Sequence, residues 1–161
     1  IRADIGKGTV YRYFENKEAL FINLLNAAAA VRQVTIAENI SLNDEVRGKL
    51  SRFIMSLLRF AKNQPEYFHL LTMDVSSETP EFQARVKRIQ NEYHDTVYQI
   101  LQEGMRQNKF REVNPLIATT LISKLIDGAI QIFKDEPNYS ADQIVLTMLD
   151  LIWNGFGKKS N

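Results

Sequence analysis

Apolar residues recur three and four positions apart through nearly the whole of this chain. No segment alternates apolar and polar residues with period two over a useful length. That spacing puts apolar side chains on one face of an α-helix, but on both faces of a strand. One run carries Val46, Leu50, Phe53, Ile54, Leu57, Leu58 and Ala61, and another Phe82, Val86, Ile89, Tyr93, Val97, Ile100 and Leu101. The expected fold class is therefore all-α. Capping signals punctuate the helices. Asn16 opens a run to about residue 39. Ser41 or Asn43 opens the next, with Asp44 and Glu45 in its first turn, where acidic groups suit the helix dipole. Pro65 ends that helix and starts a short one from Glu66 to about Met73. Thr79 before Pro80 and Asn114 before Pro115 each combine a cap with proline at the first helical position. The run from Pro80 is expected to continue unbroken to about Gln107, some ~40 Å at the rise of an α-helix. Ser140 and Gln143 form a capping box for the last helix, and Gly155 and Gly157 mark its end.

At 161 residues the chain is long enough for one ordinary domain, or one domain plus a fragment. It contains no cysteine, so disulfides and thiolate metal sites are excluded; a reducing, cytoplasmic setting is compatible with this. No apolar run approaches the roughly 18 residues of a membrane span, and no signal peptide is recognisable, so no membrane partner is expected. A net charge of +1 does not announce nucleic acid. It is a whole-molecule average, however, and leaves room for a basic face against an acidic remainder. The chain opens at Ile1 and enters a turn within a few residues. A domain rarely begins so, and further sequence is expected ahead of it.

Two helices carry more apolar surface than one core can use. From Leu116 to Phe133 the polar residues Thr120, Lys124, Asp127, Gln131 and Lys134 form one narrow stripe, and most of the circumference is apolar. The last helix is similar. Such helices are buried on more than one side. Either both are central in a monomer, or they meet a second copy; the second reading is preferred. It makes Leu121, Leu125, Gly128, Ala129, Ile132, Met148, Ile152 and Trp153 a two-helix dimerisation face, with Gly128 and Ala129 allowing close approach.

The stretch with most chemistry runs from Ile5 to Leu20. A short helix holds Lys7, Thr9, Tyr11, Arg12 and Tyr13, and a second helix start follows at Lys17. Lys, Arg, hydroxyls and free backbone N–H groups at a helix start are the groups that bind phosphates. Gly8 leaves room for close approach of a backbone. On composition alone this is either a nucleic-acid-binding helix or a solvated amphipathic segment. The string Ile5-Gly6-Lys7-Gly8-Thr9-Val10-Tyr11-Arg12-Tyr13-Phe14-Glu15-Asn16-Lys17-Glu18-Ala19-Leu20 resembles the signature of TetR-family transcriptional regulators. Ten positions match, and Asp4 stands where the family often has glycine.

That resemblance implies the second half of a helix-turn-helix head over residues 1–20. A helical-bundle domain for ligand binding and dimerisation would follow over residues 21–161. It implies a recognition helix from Lys7 to Tyr13 in the major groove. Phosphate contacts would come from Thr9, Tyr11, Tyr13 and Lys17, and base contacts from Lys7 and Arg12, with Gly6 close to DNA. Phe14 and Leu20 would be structural. The expected partners are double-stranded operator DNA with a palindromic site, a second copy of the chain, and a small-molecule effector that releases a repressor from DNA. No cofactor, metal ion or catalytic residue is expected. For the effector, Phe53, Leu57, Phe60, Phe68, Met73, Tyr93, Val97, Leu121 and Leu125, with Tyr67 nearby, supply material for an apolar pocket; each could equally be ordinary core. Two other classes are weighed. A helical scaffold acting without ligand would share the fold and lack a cavity. A di-iron bundle enzyme has one handle, the Glu66-x-x-His69 spacing. It lacks the second such motif, since Glu92 and His94 point to different helix faces.

Overall fold

A computed structural model describes residues 14–41 and 44–156. Within them the chain forms seven helices and no strand, as the spacing requires. They are α1 (Lys17–Ala37), α2 (Val46–Asn63), α3 (Pro65–Thr72), α4 (Pro80–Asn91), α5 (His94–Arg106), α6 (Pro115–Asp135) and α7 (Ala141–Phe156). Most helix starts obey the local signals. Asn16 accepts a hydrogen bond from the Ala19 amide at 2.7 Å. Thr79 caps α4 through the Phe82 amide, and Asn114 caps α6 through the amides of Leu116 and Ile117. Ser140 and Gln143 exchange both bonds of the capping box before α7. The boundary expected at residue 20 falls inside α1, which is continuous.

Two expectations need correction. Asp44 and Glu45 do not enter the first turn of α2, which begins at Val46. The Asp44 carboxylate instead takes the Ser41 amide and pairs with Arg52, bracing the loop rather than the helix end. Asn43 lies outside the described residues. More consequential, the long helix expected from Pro80 to Gln107 is two helices, broken at Glu92 and Tyr93. A contact from another element meets the chain at this break. Arg32 of α1 donates from its two terminal nitrogens to the carbonyls of Ile89 and Gln90, each at 3.0 Å. These are the carbonyls that Tyr93 and His94 amides would take in a continuous helix. With the end of α4 satisfied from outside, the chain turns there.

The helices pack around two apolar clusters. One joins α2, α5, α6 and α7, with Phe53, Leu58, Leu101, Ile122, Ile126 and Ile152 fully buried at its centre. The other joins α1, α3 and α4 through Leu25, Ala28, Phe82 and Val86, and reaches α2 at Phe60. Phe68 packs against both. α1 and α6 are long and apolar enough by composition to cross a bilayer. Each is a packing element of this bundle, α1 against α2, α3 and α4, and α6 against α2, α5 and α7.

The far end of the bundle is closed tightly. Gly104 of α5 lies against Phe110, so that a Cβ there would stand 2.2 Å from the ring. Phe110 in turn meets Trp153 edge to face at 4.9 Å. Nearby, Lys49 of α2 reaches across to Glu103 of α5 and pairs with its carboxylate at 2.7 Å.

Candidate functional site

A cavity of about 440 Å³ opens at the seam between the two apolar clusters. Its wall draws on α1 (Arg32), α2 (Leu57, Phe60), α3 (Phe68, Leu71, Thr72), the end of α4 (Gln90, Asn91), Tyr93 at the helix break, and α6 (Lys124, Asp127, Ile130, Gln131, Lys134). The volume lies within the roughly 300–1,000 Å³ of small-molecule sites. Leu57, Phe60, Leu71 and Ile130 are buried apolar wall, while Lys124, Asp127, Gln131 and Lys134 are exposed and form the rim.

Arg32 and Tyr93 supply the buried polar groups. The Arg32 guanidinium is held by the two carbonyls at the end of α4 and lies 5.3 Å from the centre of the Tyr93 ring. Its Nε is buried with no hydrogen-bond partner. Burial holds its pKa below the ordinary value, although Glu92 and Tyr93 favour the cation from a distance. The Tyr93 hydroxyl donates to Asp127 at 2.7 Å, and the other Asp127 oxygen pairs with Lys124 at 3.0 Å. Burial, then the neighbouring carboxylate, push the Tyr93 pKa far up, so the phenol stays protonated as a donor. His94 meets the Tyr93 ring edge on at 4.6 Å, and burial lowers its pKa. At the rim, Lys134 Nζ sits over the Phe68 ring at 4.9 Å. Gln131 bonds to Asp135, and Gln90 donates to the Met73 carbonyl at 3.1 Å.

Of the residues expected to form a pocket, Leu57, Phe60, Phe68 and Tyr93 line this cavity. Phe53 and Val97 are sealed in the larger core, and Tyr67 packs against the smaller one. Met73 is exposed beyond α3, and Leu121 and Leu125 point away from the bundle. The missed residues are mainly polar. Lys124, Asp127, Gln131 and Lys134 are the narrow polar stripe already visible on α6, and Arg32 is a single cation in an alanine-rich apolar run. A charge isolated in an apolar stretch was the available signal.

The expected dimer face divides. Leu121, Leu125, Gly128 and Ile132 are exposed along one side of α6, joined by Leu116 and Ile117, with Leu146 and Leu151 exposed on α7. Ala129, Met148 and Ile152 belong to this chain's own core, and Trp153 is half-buried against Phe110. Of the residues expected at DNA, Gly6, Lys7, Gly8, Thr9, Tyr11, Arg12 and Tyr13 lie outside the described residues. Lys17 is exposed at the start of α1, next to the Asn16 cap. Glu66 and His69 are exposed on α3. Among the described residues no three His, Asp or Glu side chains come together as metal ligands.

The family model described as "Tetracyclin repressor-like, C-terminal domain" matches residues 43–156, and that described as "Bacterial regulatory proteins, tetR family" matches residues 2–24. The uncharacterized HTH-type transcriptional regulator YhgD of Bacillus subtilis (strain 168) is 21% identical over 128 residues. That match takes in 76% of this chain and 64% of the length of that relative. Solved structures of the same shape include the transcriptional regulator FadR from Bacillus subtilis in complex with stearoyl-CoA. It has a TM-score of 0.80 at 20% identity, over 94% of this chain and 82% of that one. A putative fatty acid metabolism regulator of Clostridium perfringens has a TM-score of 0.79 at 16% identity, over 97% and 85%. PfmR of Thermus thermophilus, a TetR-family regulator, has 0.72 at 20%, over 97% and 84%. At these identities the solved structures share the fold with this chain.

Proposed function

Because this chain belongs to the TetR family of bacterial regulatory proteins, we propose that it is a ligand-responsive transcriptional regulator, a repressor that binds a palindromic operator as a homodimer and is released by a small-molecule effector. Like other soluble regulators of DNA, it would act in the cytoplasm. The observation that carries this reading is where the cavity lies. One wall is Arg32 of α1, the helix that follows directly on the DNA-binding signature. A ligand in the cavity touches that helix and the bundle together. Two heads must meet half-sites about 34–36 Å apart. A ligand that binds better to a different disposition of α1 lowers DNA affinity by its differential affinity for the two states. The cavity also favours a receptor over a ligand-independent scaffold.

For DNA, Thr9, Tyr11, Tyr13 and Lys17 would hold phosphates, and Lys7 and Arg12 would read base edges, with Gly6 and Gly8 admitting the backbone. Dimerisation would use the exposed stripe of Leu121, Leu125, Gly128 and Ile132 with Ile117, Leu146 and Leu151. An apolar face of this kind, repeated by a two-fold axis, makes a self-complementary four-helix contact. A Cβ at Gly128 meets nothing within 4 Å, which leaves that position open to a partner.

Selection of bound sites from random DNA by the full-length protein tests the reading. Enrichment of a palindrome is expected. Enrichment of no sequence, or of a lone half-site without a symmetry mate, would overturn it.

A further inference from the structure

Resting on the reading of this cavity as an effector site, we infer that its ligand is an anionic amphiphile: an oxoanion head held against Arg32, with an apolar tail along Leu57, Phe60, Phe68 and Ile130.

The charge on the wall points to an anion. Arg32, Lys124 and Lys134 line the cavity against a single carboxylate, Asp127. Asp127 is already engaged, accepting from the Tyr93 hydroxyl through one oxygen and pairing with Lys124 through the other. Arg32 is only 4% exposed, and the ion pairs of the described residues do not include it. Two of its five N–H donors go to backbone carbonyls, which carry no countercharge. Its Nε is buried without a partner. A buried cation with no carboxylate paired to it is costly, even with Glu92 favouring it from a distance, and an anion brought by a ligand relieves that cost. Arg32 lines the cavity, and a guanidinium with donors left over is the group an oxoanion takes.

Two aromatic rings hold cations at the cavity, Tyr93 beneath Arg32 and Phe68 beneath Lys134. Leu57, Phe60, Leu71 and Ile130 form a buried apolar part of the wall, while the uncharged polar residues Thr72, Gln90, Asn91 and Gln131 lie toward the solvent side. A purely polar anion would leave the apolar part unfilled, and a cationic drug would meet like charge.

Calorimetric titration of the full-length protein with sodium decanoate, decyl phosphate, decanol and decyltrimethylammonium tests this. Decanoate or decyl phosphate should bind at least about 10-fold more tightly than decanol, the worth of one charged hydrogen bond, and the ammonium should bind more weakly still. The stronger of the two anions identifies the headgroup. Arg32→Gln should reduce anion affinity by roughly 10- to 100-fold on the same scale. Should that variant fail to fold, Lys134→Gln at the rim should reduce it by about 3-fold with helicity unchanged. Equal affinity for decanoate and decyltrimethylammonium, or no binding of either anion, overturns the inference. Anion binding that leaves operator affinity unchanged supports this ligand class and overturns the effector reading. Operator release by a cationic or neutral molecule seated in the cavity, with no anion binding, overturns the class and leaves the effector reading standing.

Discussion

Lys49 and Arg32 are both nearly sealed from solvent, at 8% and 4% exposure, yet they sit in opposite surroundings. Lys49 has a carboxylate directly on it, with both Glu103 oxygens within 2.8 Å, at the end of the bundle where Gly104 and Phe110 leave no space. Arg32 has backbone carbonyls and an aromatic face, no carboxylate, and a cavity beside it. The first charge is complete within the fold and ties α2 to α5. The second is left incomplete by the fold, at the junction of α1, α4 and α6. The difference separates a charge neutralised within the fold from one that the fold holds by carbonyls and leaves without a countercharge.

The comparison can be broken at either end. Lys49→Ala should have the largest effect on stability, about 3 kcal/mol, because it leaves Glu103 largely buried with its countercharge gone. Urea denaturation measures this, and a loss below about 1 kcal/mol would mean the pair is no more structural than a surface contact. Gly104→Ala should come next, at about 2 kcal/mol, since the added methyl must displace the Phe110 ring from a filled site. A neutral result there would show that the closed end is not tightly packed.

Arg32→Gln should cost less than either, about 1 kcal/mol. The carbonyls of Ile89 and Gln90 lose their donor, and removing a buried, unpaired charge offsets part of that loss. A cost above that of Lys49→Ala would make Arg32 a structural residue. The smallest effect belongs to His94. Burial lowers its pKa from 6.5, with Asp127 and Asp95 favouring its charged form and Lys124 and Arg32 opposing it. The unfolded chain therefore takes up this proton more readily than the folded one. The His94 contribution is whole above pH 6.5 and declines as pH falls through its lower folded value. His94→Gln should flatten the stability profile just below pH 6.5, and an unchanged slope would place the titration elsewhere.

Residues near one another in the chain carried most of the fold. Asn16, Thr79 with Pro80, Asn114 with Pro115, and Ser140 with Gln143 start helices by bonds spanning two or three residues, so these starts are legible without any tertiary knowledge. The break at Glu92 and Tyr93 is not legible in that way, because the carbonyls just before it are held by a guanidinium 57 and 58 positions away from them along the chain. The same limit applies to the site. Phe53 and Phe60 are both apolar candidates for the pocket by sequence, and only packing decides that Phe53 is enclosed while Phe60 meets the cavity. Leu121 and Leu125 lie on a helix with two apolar sides, and spacing alone does not say which side turns inward. The polar stripe of α6 was plain in the sequence; its meaning came from Arg32 lying across from it.

The most direct test of the account follows fluorescence anisotropy of the full-length protein on its selected operator while sodium decanoate is added. Release of the wild-type protein is expected, with Arg32→Gln remaining bound over the same range and Lys49→Ala, if folded, released like wild type. Release of Arg32→Gln at the wild-type concentration, or retention of both on the operator, would contradict the claim that the incomplete charge at the seam is where the regulator senses its ligand.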